Sequence, residues 1–178
     1  MPFFEDFALD ELPAVAGVDA DTFKQGMRLL SAAVTIVTTA IGDARIGLTA
    51  TAVCSLTAEP AMLLACVNRE AGAHDPALQS RVFCVNVLSV EHLDLAMLFA
   101  DRKRVAVRFD SGNWGTLRTG APVLMDSLAS FDCLLGQTFR AETHTVLIGR
   151  VQAVRTSPAK PPLLYANGKF GSFTTEAG

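Results

Sequence analysis

Two long segments near the end of the chain, residues 128–139 and 143–154, most constrain what this sequence can fold into. Only a short polar turn separates them, which is too short for the helical crossover that parallel strands require. A shorter candidate strand, residues 123–125, precedes them. Long strands joined by turns, with few helices and no alternation of strand and helix, indicate a mainly β antiparallel barrel with helices attached.

The start of the chain is predicted to form an arm followed by one domain. Residues 1–18 are acidic and lack clear periodicity, and we interpret them as an arm that packs on a partner subunit. Residues 19–178 are assigned to a single domain, because a chain of 178 residues that is half apolar supplies one core. This domain is the unit to which the remaining patterns belong.

A short helix and a hairpin are expected next. Phe23, Met27 and Leu30 recur at the spacing of one helical face, after Asp19 or Asp21 as the cap. Two segments with strand character then flank a Gly-Asp turn, residues 33–39 before it and 45–49 after it. The hairpin leads directly into the most unusual stretch of the sequence.

That stretch, residues 47–68, begins with four small residues, Thr49, Ala50, Thr51 and Ala52, here called the ledge. Small side chains would let a flat ligand lie against the backbone, and the hydroxyls of Ser55 and Thr57 could bind a phosphate. An apolar run, residues 61–67, follows as a buried strand. The same pattern also fits an ordinary hairpin with an edge rich in Ser and Thr, because Thr is common in strands.

Composition excludes several classes of function. A formal net charge of -3 gives no basic footprint for nucleic acid. No apolar run approaches the roughly 18 to 20 residues of a membrane span, and the acidic start lacks the basic region of a signal peptide. We therefore expect a cytoplasmic protein that binds neither nucleic acid nor membrane.

Neither a metal site nor a familiar nucleotide cradle is predicted. The three histidines are far apart, and the cysteines lack C-x-x-C spacing and are predicted to be buried free thiols, Cys54, Cys66, Cys84 and Cys133. The chain contains neither G-x-G-x-x-G nor G-x-x-x-x-G-K-[ST]. A nucleotide would have to bind without a Rossmann or P-loop cradle.

Two features of the middle of the chain bear on packing. Asn86 lies in a strand that is predicted to be buried, residues 81–88, and therefore needs a hydrogen-bonding partner. Ser89 is expected to cap a helix, residues 90–100, whose buried stripe is predicted to be Leu93, Met97 and Ala100.

Several collinear motifs resemble the flavin reductase family. They are GLTATAVCSLTAEPAMLLACVNR, RVFCVNVLS, RF with a later W, PVLMDSLASFDC, THTVLIGRV and PLLYANGKF, and together they span residues 23–173. The resemblance implies an FMN-binding split barrel, NAD(P)H-dependent reduction of FMN or FAD, and delivery of the reduced flavin to a two-component monooxygenase. It also implies a homodimer with the flavin cleft at its two-fold interface.

The resemblance further implies which residues form the site. The ledge would lie along the isoalloxazine ring, Ser55 and Leu56 would meet the ribityl and phosphate side, and His144 would contact the nicotinamide. The other residues that it places beside the flavin are Cys66, Val67, Asn68, Phe83, Asn86, Arg108, Phe109, Tyr165 and Phe170. Two of these have a purely structural alternative, Phe83 as a core residue and Arg108 as a surface ion pair.

One departure from the family pattern concerns nicotinamide binding. Relatives usually place Gly before the residue that precedes their histidine, whereas this chain has Glu142 before Thr143 and His144. A carboxylate that pointed inward would repel pyridine-nucleotide phosphates. Two alternatives to a flavin reductase therefore stay open: a reductase with tightly bound FMN that acts on another acceptor, and a non-catalytic flavin-binding barrel.

Overall fold

The computed structural model describes residues 17–157 and 160–173, so most of the predicted arm lies outside the described residues. The helices are α1 (Ala20–Arg28), α2 (His74–Ser80) and α3 (Leu93–Ala100). The strands are β1 (Ala32–Ala33), β2 (Thr35–Ile41), β3 (Ala44–Ala50), β4 (Val53–Ala58), β5 (Ala61–Asn68), β6 (Val82–Val87), β7 (Trp114–Thr116), β8 (Pro122–Leu124), β9 (Ala129–Ala141), β10 (His144–Thr156), β11 (Leu164–Ala166) and β12 (Lys169–Gly171).

The main sheet has seven strands in the order β3-β2-β6-β9-β10-β5-β4, and every neighbouring pair is antiparallel. The two long predicted segments form β9 and β10, a hairpin in which Ala141 pairs with His144. Its two-residue turn leaves no room for a crossover helix, so an antiparallel pair is the only possible outcome. The prediction of a mainly β antiparallel fold is confirmed.

The sheet curves around one core. Leu63, Ala65 and Val67 alternate along β5 and point to the same side, where they join one cluster of buried side chains. Leu48 of β3 packs against that cluster, although β3 stands at the opposite end of the strand order. The curvature therefore brings the end of β3 close to the end of β5, on either side of one opening.

Asn86 has the partners that its burial requires. Its side chain is fully buried, its amide nitrogen donates to the Ile36 carbonyl at 3.1 Å, and its oxygen accepts from the Leu124 N–H at 2.8 Å and the Ser130 hydroxyl at 2.9 Å. These bonds tie β6 to β2, β8 and β9. The expectation of a partner is confirmed, and Asn86 is a structural crosslink of the sheet.

Helix α3 buries a different face from the predicted one. The side chains packed into the core are Leu95, Ala96, Leu98 and Phe99, whereas Met97 is exposed. Of the predicted stripe, Leu93 packs against the core, but the prediction was wrong for Met97 and Ala100, because nearly every position of this helix is apolar and periodicity could not select a face. Ser89 does stand at the start, where a short 3-10 turn (Val90–His92) precedes the helix and the Ser89 N–H donates to His92 Nδ1 at 3.2 Å.

Helix α1 forms as predicted, and none of its side chains is buried among the described residues. The Asp19 carboxylate accepts from the Asp21 and Thr22 N–H groups, both at 3.0 Å, which confirms Asp19 as the cap. The apolar face remains exposed, with Phe23, Met27 and Leu30 all open to solvent. Among the described helices, none is long and apolar enough to cross a membrane.

Candidate functional site

A cavity of about 470 Å³ opens where β3 and β5 end, within the range of roughly 300–1,000 Å³ that small-molecule sites occupy. Three parts of the chain form most of its wall: the ledge, the loop after β5, and the end of α3 with the segment that follows. The lining residues are Leu48, Thr49, Ala50, Thr51, Ala52, Cys66, Asn68, Glu70, Ala71, Gly72, Phe99, Ala100, Arg102, Val105, Arg108 and His144.

The ledge is held rigidly from behind. The Thr49 hydroxyl donates to the Ala96 carbonyl of α3 at 2.6 Å, and the Thr35 hydroxyl donates to the Ala50 carbonyl at 2.7 Å. The Ala50 side chain packs against the core, whereas Thr51 and Ala52 are exposed at the cavity. Thr51 and Ala52 therefore present their small side chains to the cavity, whereas Thr49 and Ala50 anchor the ledge to the rest of the fold.

Arg108 places a buried cation in the cavity wall. Its guanidinium donates from Nη1 to the Gly47 carbonyl at 2.6 Å and from Nη2 to the Asp101 carbonyl at 2.8 Å. Burial lowers the pKa of the Arg108 guanidinium, and the Asp101 charge partly opposes that shift. The structural alternative of a surface ion pair does not apply, because the side chain is buried and its partners are backbone carbonyls.

The Arg108 surroundings fit an anionic ligand. Its Nε has no hydrogen-bonding partner among the described residues, and no described carboxylate forms a salt bridge with it. The Asp101 charge compensates the buried cation only in part, and a ligand that carries or develops negative charge would offset the remaining cost. A flavin meets this requirement, since it carries phosphate and becomes more negative at its ring on reduction.

His144 stands at the mouth of the cavity as the first residue of β10. It pairs with Asn68 at the end of β5, and its Nδ1 lies 2.9 Å from the Thr143 hydroxyl oxygen. The ring is exposed and lines the cavity together with Asn68. His144 is therefore accessible to a ligand in the cavity.

Glu142 occupies the turn before His144 with a φ of 45°. This left-handed conformation favours glycine, which explains in physical terms why a glycine suits the position. The Glu142 carbonyl accepts from Arg69 Nη1 at 3.1 Å. Its side chain lines neither the cavity nor the neighbouring groove formed by Asn68, Arg69, Glu70 and Thr143, so the inward-pointing carboxylate that the sequence analysis considered is not observed.

About half of the residues in the cavity wall carry no motif that predicted them. The additional residues come from the loop after β5, from the end of α3 and from the basic segment that follows: Glu70, Ala71, Gly72, Phe99, Ala100, Arg102 and Val105. Across the mouth, Arg102 Nη1 lies 3.9 Å from a Glu70 carboxylate oxygen. The cluster of basic residues at 102–104 was the available signal, but no local pattern relates it to the ledge.

Three of the residues that the resemblance placed beside the flavin lie behind the wall. Val67 and Phe83 are almost completely buried in the core cluster inside the curved sheet, and the fully buried Asn86 side chain bonds Leu124 and Ser130. Phe109 lies outside the cavity lining as well, because its ring packs against Phe99 and Trp114 at centroid distances of 5.1 and 4.8 Å. These four residues are therefore not part of the cavity lining of their own chain.

The remaining predicted residues lie elsewhere on the surface. Ser55 and Leu56 belong to the exposed edge strand β4, and Ser55 lines a separate apolar groove. Tyr165 and Phe170 form an aromatic pair, 5.2 Å between centroids, on the three-stranded sheet β1-β11-β12. No described contact brings these four residues to the cavity of their own chain.

Two of the four free cysteines are buried and two are not. Cys84 and Cys133 are fully buried, as predicted, and burial raises the pKa of the Cys133 thiol to about 12. Cys66 is only partly buried, at the cavity, and Cys54 is exposed. The prediction of a buried thiol was wrong for Cys54, because β4 is an edge strand and this side chain faces away from the core.

Comparison with known proteins gives a consistent result. The profile described as "Flavin reductase like domain" matches residues 27–174. The chain is 38% identical over 162 residues to "FMN reductase (NADH) RutF" of Methylorubrum populi, covering 91% of this chain and 80% of that protein.

Two solved structures share the fold. The NADH:FAD oxidoreductase SgcE6 of Streptomyces globisporus, in complex with NAD and FAD fragments, superposes with a TM-score of 0.83 at 26% identity, covering 92% of this chain and 100% of that one. BorF, the flavin reductase component of a bacterial two-component tryptophan halogenase, has a TM-score of 0.81 at 29% identity, with 89% and 100% coverage.

Proposed function

This chain belongs to the flavin reductase family, and from that membership we propose that it catalyses the reduction of a flavin by a nicotinamide nucleotide. The observation that carries the proposal is the single cavity that joins the small-residue ledge, the buried Arg108 cation and His144. A flat, anionic ligand is the class that such a wall suits.

The residues of the wall orient the two reactants. A bound flavin would supply the redox chemistry by accepting a hydride from dihydronicotinamide, so the protein requires no general base. Thr51 and Ala52 leave the backbone open to a planar ring, and the bonds of Thr49 and Thr35 keep that surface rigid. His144 stands on the opposite strand end, where its ring can shield or bind the nicotinamide carboxamide.

Arg108 is the group in this wall that best opposes negative charge. Its guanidinium lies in a buried, low-dielectric position, where a fixed charge acts more strongly than in water. The Gly47 and Asp101 carbonyls hold it in place, so no rearrangement is needed when negative charge develops nearby. We assign it the role of stabilising the reduced flavin.

For the reactants we propose FMN and NADH. Support comes from the relative at 38% identity, whose name specifies both. The likeness to SgcE6, an NADH:FAD oxidoreductase, keeps FAD as the alternative flavin. The likeness to BorF supports a partner oxygenase that consumes the reduced flavin, in the cytoplasm where nicotinamide nucleotides are available.

A homodimer is the proposed assembly. The edge strand β4 borders a groove of about 260 Å³ whose lining contains no charged residue, including Val53, Leu63, Val87, Phe131 and Val154. An apolar groove beside an edge strand is a surface that a monomer does not normally expose. A second copy would cover it, and a two-fold interface would present the same patch from both subunits.

Anaerobic mixing tests the catalytic proposal. Addition of NADH to the protein with FMN should abolish the visible absorbance of the flavin, and the same experiment with FAD and NADPH ranks the four combinations. A protein that binds FMN but leaves it oxidised would establish the non-catalytic alternative. If FMN stays bound to the protein through desalting and leaves it only slowly after reduction, the result would favour a tightly bound cofactor that passes its electrons to another acceptor.

A further inference from the structure

His74 is a buried titratable residue that the proposed chemistry does not use. Its Nδ1 lies 2.6 Å from an Asp75 carboxylate oxygen and its Nε2 lies 2.8 Å from the Thr145 hydroxyl oxygen. An ionised carboxylate only accepts hydrogen bonds, so Nδ1 donates to Asp75. In the neutral ring, Nε2 is then the acceptor for the Thr145 hydroxyl. Both the His74 and Thr145 side chains are buried.

Thr145 connects this buried contact to the cavity. It directly follows His144 in β10, and successive residues of a strand point to opposite faces. Thr145 is therefore directed inward to His74, whereas His144 faces the cavity. A bond that fixes Thr145 also fixes the strand end that carries the histidine of the site.

The segment that ends at His74 holds the same hairpin at two more points. The Arg69 N–H donates to the Thr143 carbonyl at 2.9 Å, and Arg69 Nη1 donates to the Glu142 carbonyl at 3.1 Å. The turn that they hold contains the left-handed Glu142, a conformation that persists in a non-glycine residue only when its surroundings enforce it. Three bonds thus hold three residues on either side of His144: Glu142, Thr143 and Thr145.

The segment that holds the hairpin, residues 68–74, is joined internally by hydrogen bonds. The Asn68 side-chain oxygen accepts from the Glu70 N–H at 2.8 Å, the Asn68 carbonyl accepts from the Ala71 N–H at 3.0 Å, and the Ala71 carbonyl accepts from the His74 N–H at 2.9 Å. Asn68, Glu70 and Ala71 also line the cavity. Any movement of the hairpin relative to this segment would change the distance between His144 and the opposite wall.

We propose that Arg69, His74 and Thr145 form a clamp on the β9–β10 hairpin, and that His74 is a positioning residue that sets the place of His144 in the cavity. The clamp acts through geometry, and His74 itself touches neither reactant. The proposal rests on the proposed function, because its main consequence is a change in the rate of flavin reduction.

Thr145→Val tests the clamp with little change in shape, because it replaces the hydroxyl with a methyl group. Thr145→Ser restores the hydroxyl. Thr39→Val is the matched control: Thr39 is equally buried, and its hydroxyl bonds Ser80 Oγ and the Val82 carbonyl, both at 2.8 Å, at the other end of α2. Stopped-flow measurement gives the rate constant of FMN reduction at saturating NADH, and fluorescence quenching gives the FMN dissociation constant.

The Thr145→Val rate constant should fall by about tenfold or more, since misplacement of a reacting group by an ångström is enough for such losses. Thr145→Ser should recover most of the rate, and Thr39→Val should stay within about twofold of wild type. FMN affinity should be nearly constant across the series, because the ledge is untouched. Equal losses in the two valine variants, or no recovery in Thr145→Ser, would overturn the clamp.

Amide hydrogen exchange of the hairpin, residues 141–146, provides a readout that does not depend on catalysis. Thr145→Val should accelerate exchange there relative to Thr39→Val, in protein without flavin. If the wild type fails to reduce flavin, the proposed function is wrong, but faster exchange would still support the clamp. Unchanged exchange in Thr145→Val would refute it whether or not the protein is a reductase.

Discussion

At the residue scale, two alanines of the ledge show how the direction of one side chain decides its role. Ala50 and Ala52 both line the cavity, but Ala50 also packs against the core, whereas Ala52 is exposed. Both alternate with threonine in the sequence and look equivalent there. Only their positions at the end of β3 and in the turn after it distinguish them.

A larger side chain at Ala52 should therefore weaken flavin binding, whereas a larger side chain at Ala50 should lower the stability of the fold. Ala52→Leu adds three carbons at the open surface and should weaken FMN binding by more than about tenfold, or ~1.4 kcal/mol, without loss of stability. Ala44→Leu, at the exposed start of β3 and outside the cavity lining, is the control. Fluorescence titration gives the affinities, and unchanged FMN binding in Ala52→Leu would show that the ring does not lie there.

His144 is expected to act on the nicotinamide and not on the flavin. Its ring lies at the cavity mouth on the strand end opposite the ledge. His144→Ala should lower kcat/KM for NADH by roughly 10- to 100-fold, about 1.4 to 2.7 kcal/mol of transition-state stabilisation, and leave the FMN dissociation constant nearly unchanged. Loss of FMN binding with normal reduction of the remaining complex would assign His144 to the flavin instead.

Glu142 should have little influence on the affinity for NADH. Its side chain lines neither the cavity nor the adjacent groove, and exposed charges interact weakly through water. Glu142→Gln removes the charge without a change in shape and should alter KM for NADH by less than about twofold at physiological salt. A several-fold decrease in KM would mean that the carboxylate does repel the nucleotide.

At the element scale, the β9–β10 hairpin forms both the centre of the sheet and one wall of the site. Gly149 lies at an irregularity in the pairing of these strands, and a Cβ there would stand 2.7 Å from Phe83 Cε1 and 2.9 Å from Cys133 Cβ. Phe83 fills the space that the missing side chain leaves. The glycine is thus required by close packing against a buried ring.

Gly149→Ala should consequently lower the free energy of unfolding by about 1–3 kcal/mol, the usual cost of overpacking. Gly136→Ala lies in the same hairpin, but its nearest neighbour would be the Ile148 carbonyl oxygen at an ordinary 3.5 Å. Urea denaturation should show only a small change for this control. Equal destabilisation of the two variants would contradict the packing argument at Gly149.

At the scale of the whole molecule, apolar surface remains after the chain has folded. It includes the groove beside β4 and the exposed side chains of α1, which find no partner within the described residues. The Tyr165–Phe170 pair also lies away from the cavity of its own chain. These features together support an assembly of two copies.

Sedimentation velocity should accordingly show a dimer at micromolar concentration. Val154→Glu would place a carboxylate in the apolar groove and should weaken the dimer by at least about tenfold, because an unpaired charge at an interface loses its hydration. Val90→Glu, outside the groove, is the control. A monomeric wild type with full activity would refute the dimer, and an unaffected Val154→Glu dimer would place the interface elsewhere.

The sequence by itself determined the kind of fold. The length of the two C-terminal strands and the short turn between them required an antiparallel pair, and the buried Asn86 required partners that the structure supplies. The ledge and His144 could also be identified as parts of one site from the family motifs. The strand and Asn86 signals are local, whereas the site was indicated by several motifs in a constant order along the chain.

Only the tertiary structure decided which residues share the cavity. The curvature of the sheet brings the loop after β5, the end of α3 and Arg102 to the ledge, and it leaves Phe83, Phe109 and Tyr165 outside the cavity lining. It also selected the buried face of α3, which an almost uniformly apolar helix could not specify. These outcomes depend on contacts between residues far apart in the chain. A short sequence pattern does not indicate how elements that are distant in the chain pack together.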